Sequence, residues 1–349
     1  MNELKWLAFE VTPKCNLNCI HCRTNANANL NEVLTYKQIT QTIEDIDRRY
    51  KPVLVLTGGE PLLRSDIFEI AAFAKSKNWR VGLATNGTLV DEKLSLKIKA
   101  HFDIVSLSLD GSTAQIHDNF RAQEGAFDAT INAAKLLAKH DIPFIINSSF
   151  TKRNQHDIEN TYKLAKSLGA KSWYMFIIVP TGRGENLQSE LISKNDYYKI
   201  LKWHFKLELQ EKTMFIRPTC APEYYAIVDL YTKTHNVEYI RRSLSFSTGG
   251  AKGCIAGQSI AFIAFDGSVK PCSYFLRSAG NIIQNSFLDI WDNSPIFQNL
   301  RDFSNYTGKC KTCDYISICG GCRARADAYF GDYLAIDPYC LFWSKNAGK

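Results

Sequence analysis

Three cysteines, Cys15, Cys19 and Cys22, form a C-x-x-x-C-x-x-C run beside Pro13, Asn16 and Asn18. Pro and Asn favour turns over a regular helix, so this spacing predicts three thiols gathered on one loop. Three thiolates can each bind one iron of a cubane cluster and leave the fourth iron open to a chelating small molecule. A structural zinc is the other chemistry such a group could serve, and it calls for a fourth ligand to close its tetrahedron.

Seven further cysteines, Cys254, Cys272, Cys310, Cys313, Cys319, Cys322 and Cys340, crowd the last third of the chain, and Cys220 stands alone. Eleven cysteines is a high and odd number for a chain in a reducing compartment, which favours metal ligation or redox chemistry over disulfides. Cys310-x-x-Cys313 and Cys319-x-x-Cys322 also suit a zinc knuckle, but that reading leaves Cys254, Cys272 and Cys340 without a role.

The elements that must position these thiols are legible as apolar runs. Trp6 to Thr12, Val53 to Thr57, Arg80 to Thr85, Ile104 to Leu109, Phe144 to Phe150 and Trp173 to Val179 have strand length and composition and alternate with helical-period segments. Thr35 to Tyr50 reads as an amphipathic helix with Thr35 as N-cap, and Asp196 to Lys212 as a long helix. Six strands alternating with helices predict a parallel sheet whose polar motifs follow the strand ends, the face that carries the site in a (β/α) barrel. The expected fold class is α/β, a partial (β/α)6 TIM-like barrel over residues 1–235 followed by a small Cys-rich domain over 236–349. Arg241 to Gly253, rich in Ser and Gly, reads as the connection.

With 349 residues, 45% of them hydrophobic and 22% charged, the chain can bury a large core without disulfides. No run of eighteen apolar residues occurs, and the start MNELKWLAFEV lacks a signal-peptide pattern, so no membrane insertion and a cytoplasmic location are expected. A net charge of +7 without a clustered basic patch gives no reason to expect nucleic acid.

In its ordered set of motifs the chain resembles the radical S-adenosylmethionine superfamily. Gly58-Gly59-Glu60-Pro61 after the second strand looks like the segment that binds the amino group of S-adenosylmethionine, through backbone carbonyls and the Glu60 side chain. Asn86, Ser108, Asp110, Asn147, Ser148 and Ser149 follow or end later strands, at positions where the family contacts the methionine carboxylate and the ribose. Val179 opens the turn Val179-Pro180-Thr181-Gly182-Arg183-Gly184, which lies beside the adenine in that resemblance. Arg121 could reach the cofactor carboxylate as a bidentate donor, or act only as a surface cap before a helix.

The later cysteines are similar to the SPASM extension of that superfamily, which implies one or two auxiliary iron-sulfur clusters besides the 4Fe-4S cluster at Cys15, Cys19 and Cys22. The resemblance assigns Cys310, Cys313, Cys319 and Cys340 to one cluster. It assigns Cys254, Cys272 and Cys322 to another that needs a further ligand or stays open, because Ala261 stands where some relatives carry a cysteine. Cys220, in Thr219-Cys220-Ala221-Pro222-Glu223, is a candidate cluster ligand, a substrate-facing thiol or a buried inert one. Glu223 stands where a His is expected.

The stretches Pro218 to Tyr225, Gly253 to Gly257, Cys319 to Ala326 and Gly331 to Leu334 together resemble the tetrapyrrole-modifying branch. That implies a tetrapyrrole substrate, oxidative decarboxylation of iron-coproporphyrin III propionates to vinyl groups to give haem b, and a low-potential donor such as flavodoxin or ferredoxin. In the implied reaction a 5'-deoxyadenosyl radical abstracts a substrate hydrogen, carbon dioxide leaves, and the surplus electron passes to an auxiliary cluster. Arg217, Arg241, Arg242, Arg323 and Arg325 could pair with substrate carboxylates, or form a solvated basic face. A peptide-modifying maturase is the alternative, for which an N-terminal peptide-recognition domain is expected; didecarboxysiroheme deacetylase and the haem d1 branch are nearer ones. A non-catalytic electron carrier would need fully ligated clusters and no cofactor motifs.

Overall fold

The computed structural model describes residues 3–27, 29–236, 239 and 252–340. Arg241, Arg242 and most of the expected linker lie outside the described residues.

Seven parallel strands run in chain order: β1 (Trp6–Glu10), β2 (Val53–Thr57), β3 (Val81–Thr85), β4 (Ile104–Ser108), β5 (Phe144–Phe150), β6 (Ser172–Ile177) and β7 (Phe215–Thr219). The six expected strands are present with ends shifted by at most two residues. The seventh was hidden because Arg217 and Pro218 interrupt its apolar run, and Pro is tolerated there because β7 is the sheet's last strand. Beyond residue 235 the chain returns to the opposite edge, where β8 (Ile260–Ile263) pairs parallel with β1. The short antiparallel strands β9 (Ser268–Lys270) and β10 (Gly280–Asn281) extend that edge. The C-terminal region is therefore joined to the barrel sheet by backbone hydrogen bonds.

Strand periodicity sorts the side chains into two layers. Leu7, Phe9, Leu54, Leu56, Leu83, Leu107, Ile146 and Trp173 are fully buried in the main apolar cluster between sheet and helices. The alternate positions, among them Ala8, Gly82, Ala84, Ser106 and Asn147, line an interior cavity. Ser148 belongs to the first layer, accepting a hydrogen bond from Trp173 Nε1 at 2.9 Å, so its role is structural.

Helices α1 (Tyr36–Asp47), α2 (Ile67–Ser76), α3 (Glu92–His101), α4 (Ala114–Arg121), α5 (Ala126–Lys139), α6 (Ile158–Ser167), α7 (Lys194–Gln210) and α8 (Glu223–His235) connect or follow the strands. The expected first helix starts as read, with Thr35 and Gln38 forming a capping box. The helix expected over Asp196 to Lys212 begins two residues earlier because Ser193 caps Asp196 N–H. Arg121 closes α4, whereas the sequence suggested a place ahead of a helix. No helix among the described residues is long and apolar enough to cross a membrane.

The C-terminal region adds α9 (Phe287–Asn293), α10 (Pro295–Arg301), α11 (Ile316–Cys319) and α12 (Arg323–Phe330). Arg323 and Arg325, on α12, are neither substrate-facing nor solvated: their exposures are 1% and 0%. Arg323 donates to the carbonyls of Gly321, Tyr333 and Ala335. Arg325 pairs with Asp337 at 3.1 Å and donates to the Cys220 carbonyl at 2.5 Å. Beside this pair Glu223 accepts from Tyr197 Oη at 2.6 Å. Burial, reinforced by the Asp337 charge, pushes the Glu223 carboxyl up to about 8.

An unfolded Glu ionises near 4.5, so between that pH and about 8 the unfolded chain releases a proton that the folded chain retains. Stability present below pH 4.5 is therefore lost as the pH rises through about 8. Glu223→Gln keeps a neutral side chain at every pH. Denaturant melts from pH 5 to 9 should show wild type losing stability relative to the variant, with the gap widening to about pH 8 and then level.

Candidate active site

The cysteine loop follows β1 and contains no helix, as its Pro and Asn residues imply. Cys15, Cys19 and Cys22 pack in one cluster with Leu17 and Ala26. The loop's conformation is imposed by its neighbours. Arg183 donates Nε to the Cys19 carbonyl at 2.8 Å and Nη1 to the Ala26 carbonyl at 3.0 Å. Arg64 fixes both ends, through the carbonyls of Val11 and Leu34. Burial pushes the Cys15 thiol up to about 12, so without metal it stays protonated, and iron would displace that proton.

Gly58-Gly59-Glu60-Pro61 lies directly against this loop. Gly59 N–H donates to the Thr12 carbonyl and Glu60 N–H to the Lys14 carbonyl, at 2.8 and 2.7 Å. A Cβ on Gly59 would stand 2.2 Å from the Lys14 carbonyl oxygen and 2.8 Å from Cys15 Cβ, so only glycine permits the approach. Glu60 is fully buried and accepts from Thr85 Oγ1, Leu62 N–H and Asn86 N–H. A carboxylate has about four acceptor sites, so one remains, on the oxygen that faces Asn86. Burial raises Glu60 to about 7. Asn86 is held by Asn16 of the cysteine loop through its side chain.

Asp110 is the buried anion of the site. Its Oδ2 lies 2.6 Å from Arg121 Nη2 and 3.5 Å from His21 Nε2, and its Oδ1 accepts Ser149 N–H at 2.7 Å. Burial opposes the Arg121 charge, but Asp110 and the Cys19 sulfur outweigh it and hold the guanidinium ionised. Arg121 Nη1 points at Cys19 Sγ, 3.7 Å away. Burial, then Arg121, holds His117 at about 3, so its neutral ring accepts the Asp110 N–H through Nδ1. Sequence reasoning missed the roles of His21, within the loop, of His117, and of Arg183, named only as part of the glycine-rich turn; contacts made across the fold have no local signature.

A cavity of about 310 Å³ opens inside the barrel, within the usual range for small-molecule pockets. Its wall is mostly apolar, with Arg23 and Arg217 as its cations and Asn147, Tyr174 and Tyr274 among its polar groups. Asn147 Oδ1 and, in the glycine-rich turn, Thr181 Oγ1 are buried without a hydrogen-bond partner, as expected of groups that await a polar ligand. Ser108 is the register neighbour of Asn147 on β4. Val179 packs instead with Phe275, Leu300, Cys322 and Ala324.

Cys254, Cys272, Cys322 and Cys220 all line the same cavity. Cys310 lies on the other side of Arg323, 3.8 Å from its Nη2, and Cys319 neighbours Cys340. Gly320 and Gly321 have φ of 73° and 57°; two left-handed residues in succession let Cys319 and Cys322 face different groups. Among the described residues no three His, Cys, Asp or Glu converge on a single metal ion. The sulfurs, the unpartnered Asn147 and Thr181 oxygens and the free Glu60 acceptor site together fit a cluster with a polar chelating cofactor. Gly59→Ala should shift the cysteine loop; since ~1 Å of misplacement costs about a hundredfold in rate, the variant should lose about that much turnover and show a lower iron content by chemical assay.

Residues 9–165 match the radical SAM superfamily, and residues 254–314 match the SPASM iron-sulfur cluster-binding domain. The chain is 41% identical over 347 residues to the AdoMet-dependent heme synthase of Methanosarcina barkeri, covering 98% of this chain and 97% of that protein. It is 35% identical to the AdoMet-dependent heme synthase of Nitratidesulfovibrio vulgaris, with 97% and 92% covered. Among solved structures, anSMEcpe with bound AdoMet superposes with a TM-score of 0.73 at 23% identity, covering 97% of this chain and 94% of that one, a likeness of fold. With a partial parallel barrel, a glycine-clamped cysteine loop and a second cysteine-rich unit, the chain belongs to the radical SAM superfamily, in the SPASM-bearing branch that includes the AdoMet-dependent heme synthases.

Proposed function

We propose that this protein converts iron-coproporphyrin III to haem b by oxidative decarboxylation of two propionate side chains. The observation that carries the reading is a mostly apolar cavity with Arg23 and Arg217 on its wall, in a chain 41% identical over nearly its whole length to a heme synthase. A tetrapyrrole is a flat apolar ring edged with carboxylates, and such a wall matches both parts of it.

When bound, S-adenosylmethionine and the iron-sulfur clusters supply a hydrogen-abstracting carbon radical and an acceptor for one electron. Cys15, Cys19 and Cys22 would hold the radical-forming cluster. Gly58, Gly59, Glu60 and Pro61, with Asn86, Ser108, Asp110, Asn147 and Ser149, would position the cofactor. Arg121 and Asp110 neutralise one another, so they set the orientation of Cys19 without adding net charge. Each propionate loses one hydrogen atom, carbon dioxide and one electron to become a vinyl group. The mostly apolar wall of the barrel cavity limits the access of water and competing hydrogen donors to the reacting carbon. A low-potential donor of the flavodoxin or ferredoxin class, in the cytoplasm, would reduce the first cluster. Residues 1–235 form the barrel unit and 236–349 the auxiliary-cluster unit in this reading.

Anaerobic turnover of the reconstituted protein with a low-potential reductant, S-adenosylmethionine and iron-coproporphyrin III should give products lighter by one and then two carboxyl groups, read by mass spectrometry. Formation of 5'-deoxyadenosine with an unchanged porphyrin would overturn the substrate while leaving the radical chemistry intact. Arg217→Gln removes one cavity cation. Hydrogen bonds to charged groups contribute about 1.5–3 kcal/mol, so KM for the porphyrin should rise about tenfold or more with kcat little changed.

A further inference from the structure

Three cysteines from the C-terminal region, Cys254, Cys272 and Cys322, reach the cavity, one thiolate short of a closed four-iron site. The remaining cavity-lining thiol comes from the barrel. Cys220 follows β7 and packs with Cys272 against the buried group that contains Cys322. Cys272 in turn neighbours Cys254 and Cys322, so the four sulfurs form one group.

Two features show that the backbone is held to present this side chain. Cys220 has a φ of 56°, a left-handed conformation that is strained for a residue with a Cβ. Glycine would sit there without strain, so a side chain is retained at a cost. The carbonyl of Cys220 is fixed by Arg325 Nη2, from the same helix that Cys322 precedes. One guanidinium thus sets the distance between Cys220 and Cys322.

We propose that Cys220 is the fourth ligand of the cavity-side cluster, completing a set with Cys254, Cys272 and Cys322 that spans the barrel and the cysteine-rich region. On ligation each sulfur donates an electron pair to one iron and its proton goes to solvent, with no change of oxidation state. The eleven cysteines then divide into three, four and four, and only the cluster at Cys15, Cys19 and Cys22 keeps an open iron. A cluster closed in this way accepts electrons without binding the substrate. The inference rests on iron-sulfur occupancy of the SPASM cysteines and is independent of the substrate, so its test contains no porphyrin.

The test starts from the full chain carrying Cys15→Ala, Cys19→Ala and Cys22→Ala, reconstituted anaerobically so that only the two auxiliary sites fill. It should bind about eight irons and give no three-iron EPR signal on mild ferricyanide oxidation, because four thiolates close each cluster. Adding Cys220→Ala, which bears the same φ, should yield a three-iron signal and the loss of about one iron per chain on oxidation. A three-iron signal in the parent, or no effect of Cys220→Ala, overturns the proposal. A parent that binds only about four irons overturns it too, by removing the cluster. If the Cys220→Ala protein aggregates, iodoacetamide mapping of the unsubstituted protein decides. Cys220 should be protected together with Cys254, Cys272 and Cys322 and become alkylated with them once iron is chelated; alkylation of Cys220 alone in the loaded protein refutes the assignment.

Discussion

A guanidinium with no exposed surface anchors the junction of this molecule. Arg325 is stable inside the protein only because Asp337 neutralises it and the Cys220 carbonyl takes a further N–H; removing one partner of such a pair costs about 3–5 kcal/mol. Asp337 also accepts the backbone N–H groups of Cys322 and Tyr339. One ion pair therefore fixes the end of the last barrel strand, the start of α12 and the chain leading to Cys340. Burial first, and then the nearby Asp337 charge, favour a neutral carboxyl at Glu223, which is held by a hydrogen bond from Tyr197.

The other attachment lies across the barrel, where β8 extends β1. An open parallel sheet has two edges, and here the C-terminal region engages both, with backbone hydrogen bonds at one and a buried charge at the other. The cavity between them is lined from both parts of the chain. Arg23, next to Cys22, reaches across to donate to the Ser273 carbonyl at 3.4 Å, beside Cys272, and Cys272 and Cys322 line the same cavity. A ligand in the cavity touches surfaces supplied by both parts of the chain.

Much of this was legible in the residues. The six apolar runs, the capped first helix and the irregular cysteine loop depend on local spacing, and local spacing is what a sequence displays. The seventh strand was not, because Pro218 and Arg217 break its pattern while tertiary pairing with β6 restores it. Arg323 and Arg325 misled for a related reason: arginine is usually exposed, and apart from the nearby Gly321 carbonyl the acceptors that permit their burial, carbonyls and a carboxylate, lie ten or more residues away. Asp110 was identifiable from its place after a strand, whereas its neighbours His21 and His117 became visible only in three dimensions. Cys220 had three open readings in the sequence, and its place beside Cys322 on the cavity wall, a hundred residues on, is visible only in the fold.

The pairing of β8 with β1 bears on how the chain is made. More than two hundred residues separate these strands, and such long-range contacts form late. Until residue 260 has been synthesised and docked, β1 remains a bare strand edge, and unpaired edges are where chains associate wrongly. The cysteine loop begins at the end of that same strand. Ordering of the first metal site is thereby tied to arrival of the last part of the polypeptide, so a chain interrupted before β8 exposes an adhesive edge beside unprotected thiols.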